Sequence, residues 1–160
     1  VYAASILRVL NSDIYPFDFR ETVEELTQLL NQYVEEGALK FDLKPVIDEL
    51  AGLMDDLEGF YSLASRAEQE GNPEGIRKAN RIIIQLGRIL IPILFAKEAM
   101  FDHDPAIALP PIPEIEPVRH LAEFKGDEDN SKFLKNQLIR GRNKVMLKLG
   151  KARRLAKEFK

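Results

Sequence analysis

The chain contains no cysteine, which removes disulfide frameworks, thiol nucleophiles and Cys-ligated zinc and leaves the redox compartment open. Only two histidines occur, His103 and His120, and neither stands at metal-ligand spacing from another histidine. No glycine-rich phosphate loop, nucleophile elbow or HExxH string is present. The Glu-x-x-His pair that builds di-iron bundles is missing as well. The most apolar stretch, Ile76 to Phe95, is interrupted by Arg77, Lys78, Arg81, Gln85 and Arg88. It therefore falls short of the roughly twenty uninterrupted apolar residues that cross a bilayer. Val1 leads directly into YAASILRVL, with no basic, apolar, small-residue leader, so the start reads as an internal cut rather than a signal peptide. One cluster, Asp102, His103 and Asp104, has acceptable metal ligands. Three consecutive residues rarely converge on one ion, and turn capping in a proline-rich loop is the expectation there.

What is present is helical periodicity. In the Ile76–Phe95 stretch, Ile76, Ala79, Ile83, Leu86, Leu90 and Ile93 recur at steps of three and four. Ile82, Ile84, Ile89, Ile91 and Leu94 widen that stripe beyond a single seam. A helix apolar on most sides must be covered by several neighbours, at the centre of a bundle or against a second subunit. Pro92 is expected to kink or end it.

Before it, Val1–Leu10 has helical composition and ends at Asn11, Ser12, Asp13 and Pro16. A second helix is expected from a cap at Asp18 to about Glu36, with Gly37 as its stop and Phe19, Val23, Leu26, Leu30 and Tyr33 on one face. A third begins at Asp42 with Pro45 in its first turn, and carries Val46, Leu50, Leu53, Leu57, Phe60, Ala64 and Ala67 inward. Gly71, Asn72, Pro73 and Gly75 make a tight connection, so the Ile-rich helix should run antiparallel to the third. Five of the nine prolines fall between Lys97 and Ser131, which leaves little room for a regular helix before Val118. Ile107, Leu109, Ile112 and Ile115 argue that this loop is pinned to something apolar. A last helix is expected from a cap at Ser131, with Leu134, Leu138, Gly141, Val145, Leu149, Ala152, Ala156 and Phe159 on one face. The fold class is all-α: a four-helix bundle with a short leading helix and a long Pro-rich crossover before the last helix.

Charge is segregated. Lys132–Lys160 holds eleven Lys and Arg against Glu158 alone, a net +10, while the preceding 131 residues carry 12 basic and 25 acidic side chains, a net −13. A nucleic-acid-binding arm has this polarity, with Arg140, Arg142, Lys144, Arg153 and Arg154 as its contacts. The basic segment also has a full apolar stripe and no accompanying set of aromatics for base stacking. A basic helix laid across an acidic bundle fits both features better.

Several strings in order carry a resemblance: NSDIYPFDF at Asn11–Phe19, FDLKPVIDEL at Phe41–Leu50, the apolar helix from Ala79, FDHDPAIALPPIPEIEP at Phe101–Pro117 and FLKNQLIRGRNKVMLKL at Phe133–Leu149. Together they resemble the transferrin-receptor-like dimerisation domain, the helical domain on the C-terminal side of zinc exopeptidases similar to glutamate carboxypeptidase II and of the transferrin receptor. The resemblance covers nearly the whole chain. It implies residues 1–12 as the remnant of the last helix of a preceding peptidase-like domain and 13–160 as a helical dimerisation domain.

The implied partners are a second copy and the preceding peptidase domain, with no nucleic acid and no direct membrane insertion. The isoleucines at Ile82, Ile84, Ile89 and Ile91 become the expected dimer contacts. In family enzymes the crossover loop helps shape the parent's substrate pocket, which on this chain corresponds to Phe101, Asp102, His103 and Asp104 within residues 101–117. Glutamate-selective members have Lys-Tyr-Gly in that loop, whereas this chain has Ala106 to Pro111 without it, so acidic-side-chain specificity does not carry over. Zinc is expected in the parent's peptidase domain and no cofactor in this chain, which alone is not expected to be an enzyme. An extracellular, periplasmic or membrane-anchored parent is what the resemblance suggests.

Overall fold

In the computed structural model the described residues are 2–36, 41–97, 108–124 and 128–159. Among them all regular structure is helical: α1 Tyr2–Leu10, α2 Phe19–Glu36, α3 Lys44–Gln69, α4 Pro73–Phe95, a 3₁₀ segment Glu116–Ala122, and α5 Glu128–Lys157. The all-α bundle with a short leading helix is as the periodicity predicts.

Local chemistry explains the helix ends. Asp18 Oδ1 accepts from Arg20 N at 3.0 Å at the start of α2. Asp42 Oδ1 accepts from Lys44 N at 3.0 Å, although the residue at the α3 cap itself is Leu43. Asn72 caps α4 through Oδ1, which accepts from Glu74 N and Gly75 N, both at 3.1 Å, with Pro73 as the first helical residue. The α3–α4 turn closes by Gly71 N donating to Glu68 O and Asn72 N donating to Ala67 O, with Gly71 at φ +61. This paired-bond C-cap needs a left-handed residue, which glycine supplies without a Cβ penalty.

Three boundaries differ from expectation. Pro92 does not end α4, which continues to Phe95; a proline so near the C-terminus removes one hydrogen bond from a turn already held by tertiary contacts. Helix α5 starts at Glu128, so Ser131 lies inside its first turn. Glu116–Ala122 adopts 3₁₀ geometry where an extended path was expected up to Val118; Pro117 sits in its first turn, where a missing N–H costs little. The expected stop Gly37 lies outside the described residues.

The packing accounts for the composition of α4. Helices α3 and α4 form the central pair, each touching α2, α5 and the other, while among the described residues α2 and α5 do not meet. A helix with three neighbours needs apolar residues over most of its circumference. Ala79, Ile82, Ile83, Leu86, Leu90, Ile93 and Leu94 are accordingly buried. The inward residues named for α2 and α3 are buried, as are Leu138, Val145, Leu149, Ala152 and Ala156 of α5. No buried side-chain nitrogen or oxygen among the described residues lacks a partner. By contrast, among the described residues α1 has no buried residue and packs against none of the other helices. No described helix is long and apolar enough to cross a membrane.

Candidate functional site

The crossover is pinned, as its isoleucines suggest. In its described part, Ile112, Ile115, Val118 and Leu121 are buried in the core shared by the four long helices. Ile112 N donates to Leu94 O at 3.1 Å, joining the strap to the end of α4. Tyr33 Oη donates to Pro111 O at 2.6 Å, and the Arg119 guanidinium pairs with Glu36 at the end of α2. Lys144 Nζ meets Glu114 Oε1 at 2.7 Å from α5. The strap lies so close to α5 that a Cβ on Gly141 would stand 2.2 Å from Glu114 O. Ile112 has φ 51, a left-handed conformation disfavoured for a β-branched residue. Its full burial and the hydrogen bonds around it hold that conformation.

The residues expected to line a parent's substrate pocket, Phe101, Asp102, His103 and Asp104, lie outside the described residues, as does Ile107. His120 is exposed on the strap, with Nδ1 3.0 Å from Glu123 Oε1 and Nε2 3.7 Å from Glu116 Oε1. The hydrogen bond to Glu123 raises its pKa above the ordinary histidine value. Among the described residues no group of three or more His, Asp or Glu is placed to hold a metal ion.

The basic last helix is partly neutralised from within. Arg153 reaches across to α3, with Nε 2.7 Å from Asp56 Oδ2 and Nη1 3.0 Å from Glu49 Oε2. Lys157 adds a contact to Asp56 at 3.3 Å. Gly52 makes room for this fork, since a Cβ there would lie 2.7 Å from the Arg153 guanidinium carbon. Arg142 donates to Asp42 O at 3.0 Å and lies over the Phe41 ring. Lys148 is drawn inward, its Nζ 3.5 Å from Pro92 O, and burial lowers its pKa. Arg140, Lys151 and Arg154 remain exposed.

The four isoleucines expected at a dimer contact separate into different environments. Ile82 is 4% exposed and belongs to the core, and Ile89 is half-buried against it. Ile84 at 43% and Ile91 at 49% face outward together with Phe95 at 63%. Arg77, Arg81 and Arg88 share this outer face and are exposed. The run Arg77, Arg81, Ile84, Arg88, Ile91, Phe95 advances by four and three throughout, so it forms one ridge along α4. In the sequence these arginines stand out only as interruptions of an apolar run. Their own spacing was the available signal. Apolar side chains of α1, including Tyr2, Ile6, Leu7 and Leu10, are exposed as well.

Shallow grooves are present among the described residues as well. One of about 390 Å³ lies beside the α3–α4 turn against Phe159, and one of about 340 Å³ lies between α2 and α3 over Val23, Ile47 and Met54. The first is also lined by Arg66, Glu70, Glu74 and Lys78, and the second is mostly apolar. Compared with models of protein families, with curated proteins and with solved structures, the chain matches none of them.

Proposed function

We propose that this chain is a non-catalytic helical dimerisation domain, joined in its parent to a zinc-dependent exopeptidase domain, with the 101–117 loop helping to shape the parent's substrate pocket. The observation that carries the assembly part is the outward row Ile84, Ile91 and Phe95 on a helix whose opposite face is already buried by three neighbours. Large aliphatic and aromatic side chains aligned on one exposed ridge gain most when a second protein surface removes them from water. The peptidase part rests on the five ordered strings alone. Residues of α1 would belong with the preceding domain, consistent with a helix that packs against no other described helix.

Sedimentation of the chain over a concentration series tests the dimer. A species of two chains at high micromolar concentration is expected, and a single-chain mass throughout would refute it. A second reading, a basic-helix nucleic-acid module, is favoured by the exposed Arg140, Lys151 and Arg154 on α5. Its signature is binding to a generic duplex that weakens steeply with salt. Absence of such binding at low salt removes it.

A further inference from the structure

We infer that the α4 ridge docks against an acidic, apolar-studded protein surface and not against another α4. This deepens the dimerisation reading, on which it rests for the existence of a partner, by stating what that partner presents. Arg81 and Arg88 lie beside Ile84 and Ile91, with Arg77 and Phe95 at the two ends. None of these three arginines makes an ion pair among the described residues, whereas Arg20, Arg119 and Arg153 all do. The ridge is thus two parallel files, one cationic and one apolar, each a single residue wide and together about 27 Å long at 1.5 Å per residue.

An antiparallel second α4 would bring two sets of three guanidinium groups into one contact. Within α4 itself the one carboxylate is Glu74, in the first turn. Like charges so placed oppose the contact. A counter-surface with carboxylates at helical spacing beside apolar side chains satisfies both files at once. Guanidinium groups pair with carboxylates through two parallel hydrogen bonds. Nucleic acid would use the arginines and leave Ile84, Ile91 and Phe95 without a partner. An anionic bilayer would favour a broad apolar face over a file one residue wide.

The test uses an 18-residue synthetic amphipathic helix with glutamates and leucines on one face, labelled for fluorescence anisotropy and titrated with the whole chain. Binding is expected, weakening with added salt and falling at least tenfold for R81E/R88E and for I84S/I91S. A peptide with lysine in place of glutamate should not bind. Circular dichroism of each variant confirms that it folds, and R81Q/R88Q, milder at the same sites, should give an intermediate loss. No binding of the glutamate peptide, or binding unchanged by R81E/R88E, overturns the inference. So does equal binding to vesicles of phosphatidylserine and phosphatidylcholine. Sedimentation separates this from the dimer reading. If the chain dimerises and R81E/R88E strengthens the dimer, α4 pairs with itself, so the inference fails while the dimer stands.

Discussion

Two glycines in the middle of helices should respond oppositely to the same substitution. Gly59 lies exposed in α3, and an added Cβ there meets nothing within 4 Å. Gly59→Ala should therefore stabilise by the helix-propensity difference, about 0.5–1 kcal/mol. Gly141 in α5 has the same propensity to gain, but its Cβ would stand 2.2 Å from Glu114 O, against an ordinary contact of 3.4–4 Å. A Cβ is fixed in place by its own backbone and the atom it meets is a backbone oxygen, so rotamer changes cannot relieve the contact. The strap must shift by about an ångström, disturbing the buried Ile112 and Ile115 at an overpacking cost of about 1–3 kcal/mol or more. The net expectation is a loss of about 1–2 kcal/mol. At about 2–4 °C per kcal/mol for a domain of this size, Gly59→Ala should raise Tm by up to about 4 °C and Gly141→Ala should lower it by about 2–8 °C. Thermal unfolding followed by circular dichroism measures both. If Gly141→Ala stabilises as Gly59→Ala does, the strap is not held against α5 in the way described.

Three further outcomes follow from the same packing. Replacing Arg153 by Met leaves Glu49 and Asp56 without their shared guanidinium, and should destabilise by about 1–3 kcal/mol in urea unfolding; a double-mutant cycle with Asp56→Asn should show coupling. Tyr33→Phe removes the hydrogen bond to Pro111 O and should cost about 0.5–1.5 kcal/mol, with no change expected if the strap is unpinned in solution. Tyr61 Oη donates to Phe17 O and accepts from Phe19 N, and burial pushes its pKa up to about 12. Because the folded value is raised, its stabilising contribution is complete below the unfolded value near 10 and is lost as pH climbs from about 10 to about 12. Absorbance titration of wild type against Tyr61→Phe should show one late-ionising phenol missing from the variant.

The helices were legible because each buried face repeats at four and three, and because Asp18, Asn72 and Pro73 combine a cap with a start signal. The strap was legible only as apolar residues among prolines. That Ile112 plugs the core in a left-handed conformation depends on Leu94, Tyr33 and Gly141, which lie far away in sequence. Ile82 and Ile84 were both expected as dimer contacts, yet helical residues two apart point about 200° around the axis from each other, and the position of α3 and its neighbours decides which is covered. The Arg153 fork was anticipated as a general attraction between α5 and acidic helices; its partners required the crossing of α3 and α5 to be known.

The claim that this domain exists to join larger pieces is tested most directly by comparing the solution mass of the wild-type chain with that of I84S/I91S at matched high micromolar concentrations. The account predicts two chains for the wild type and one for the variant, with both equally helical. One chain for both, or two for both, would contradict it.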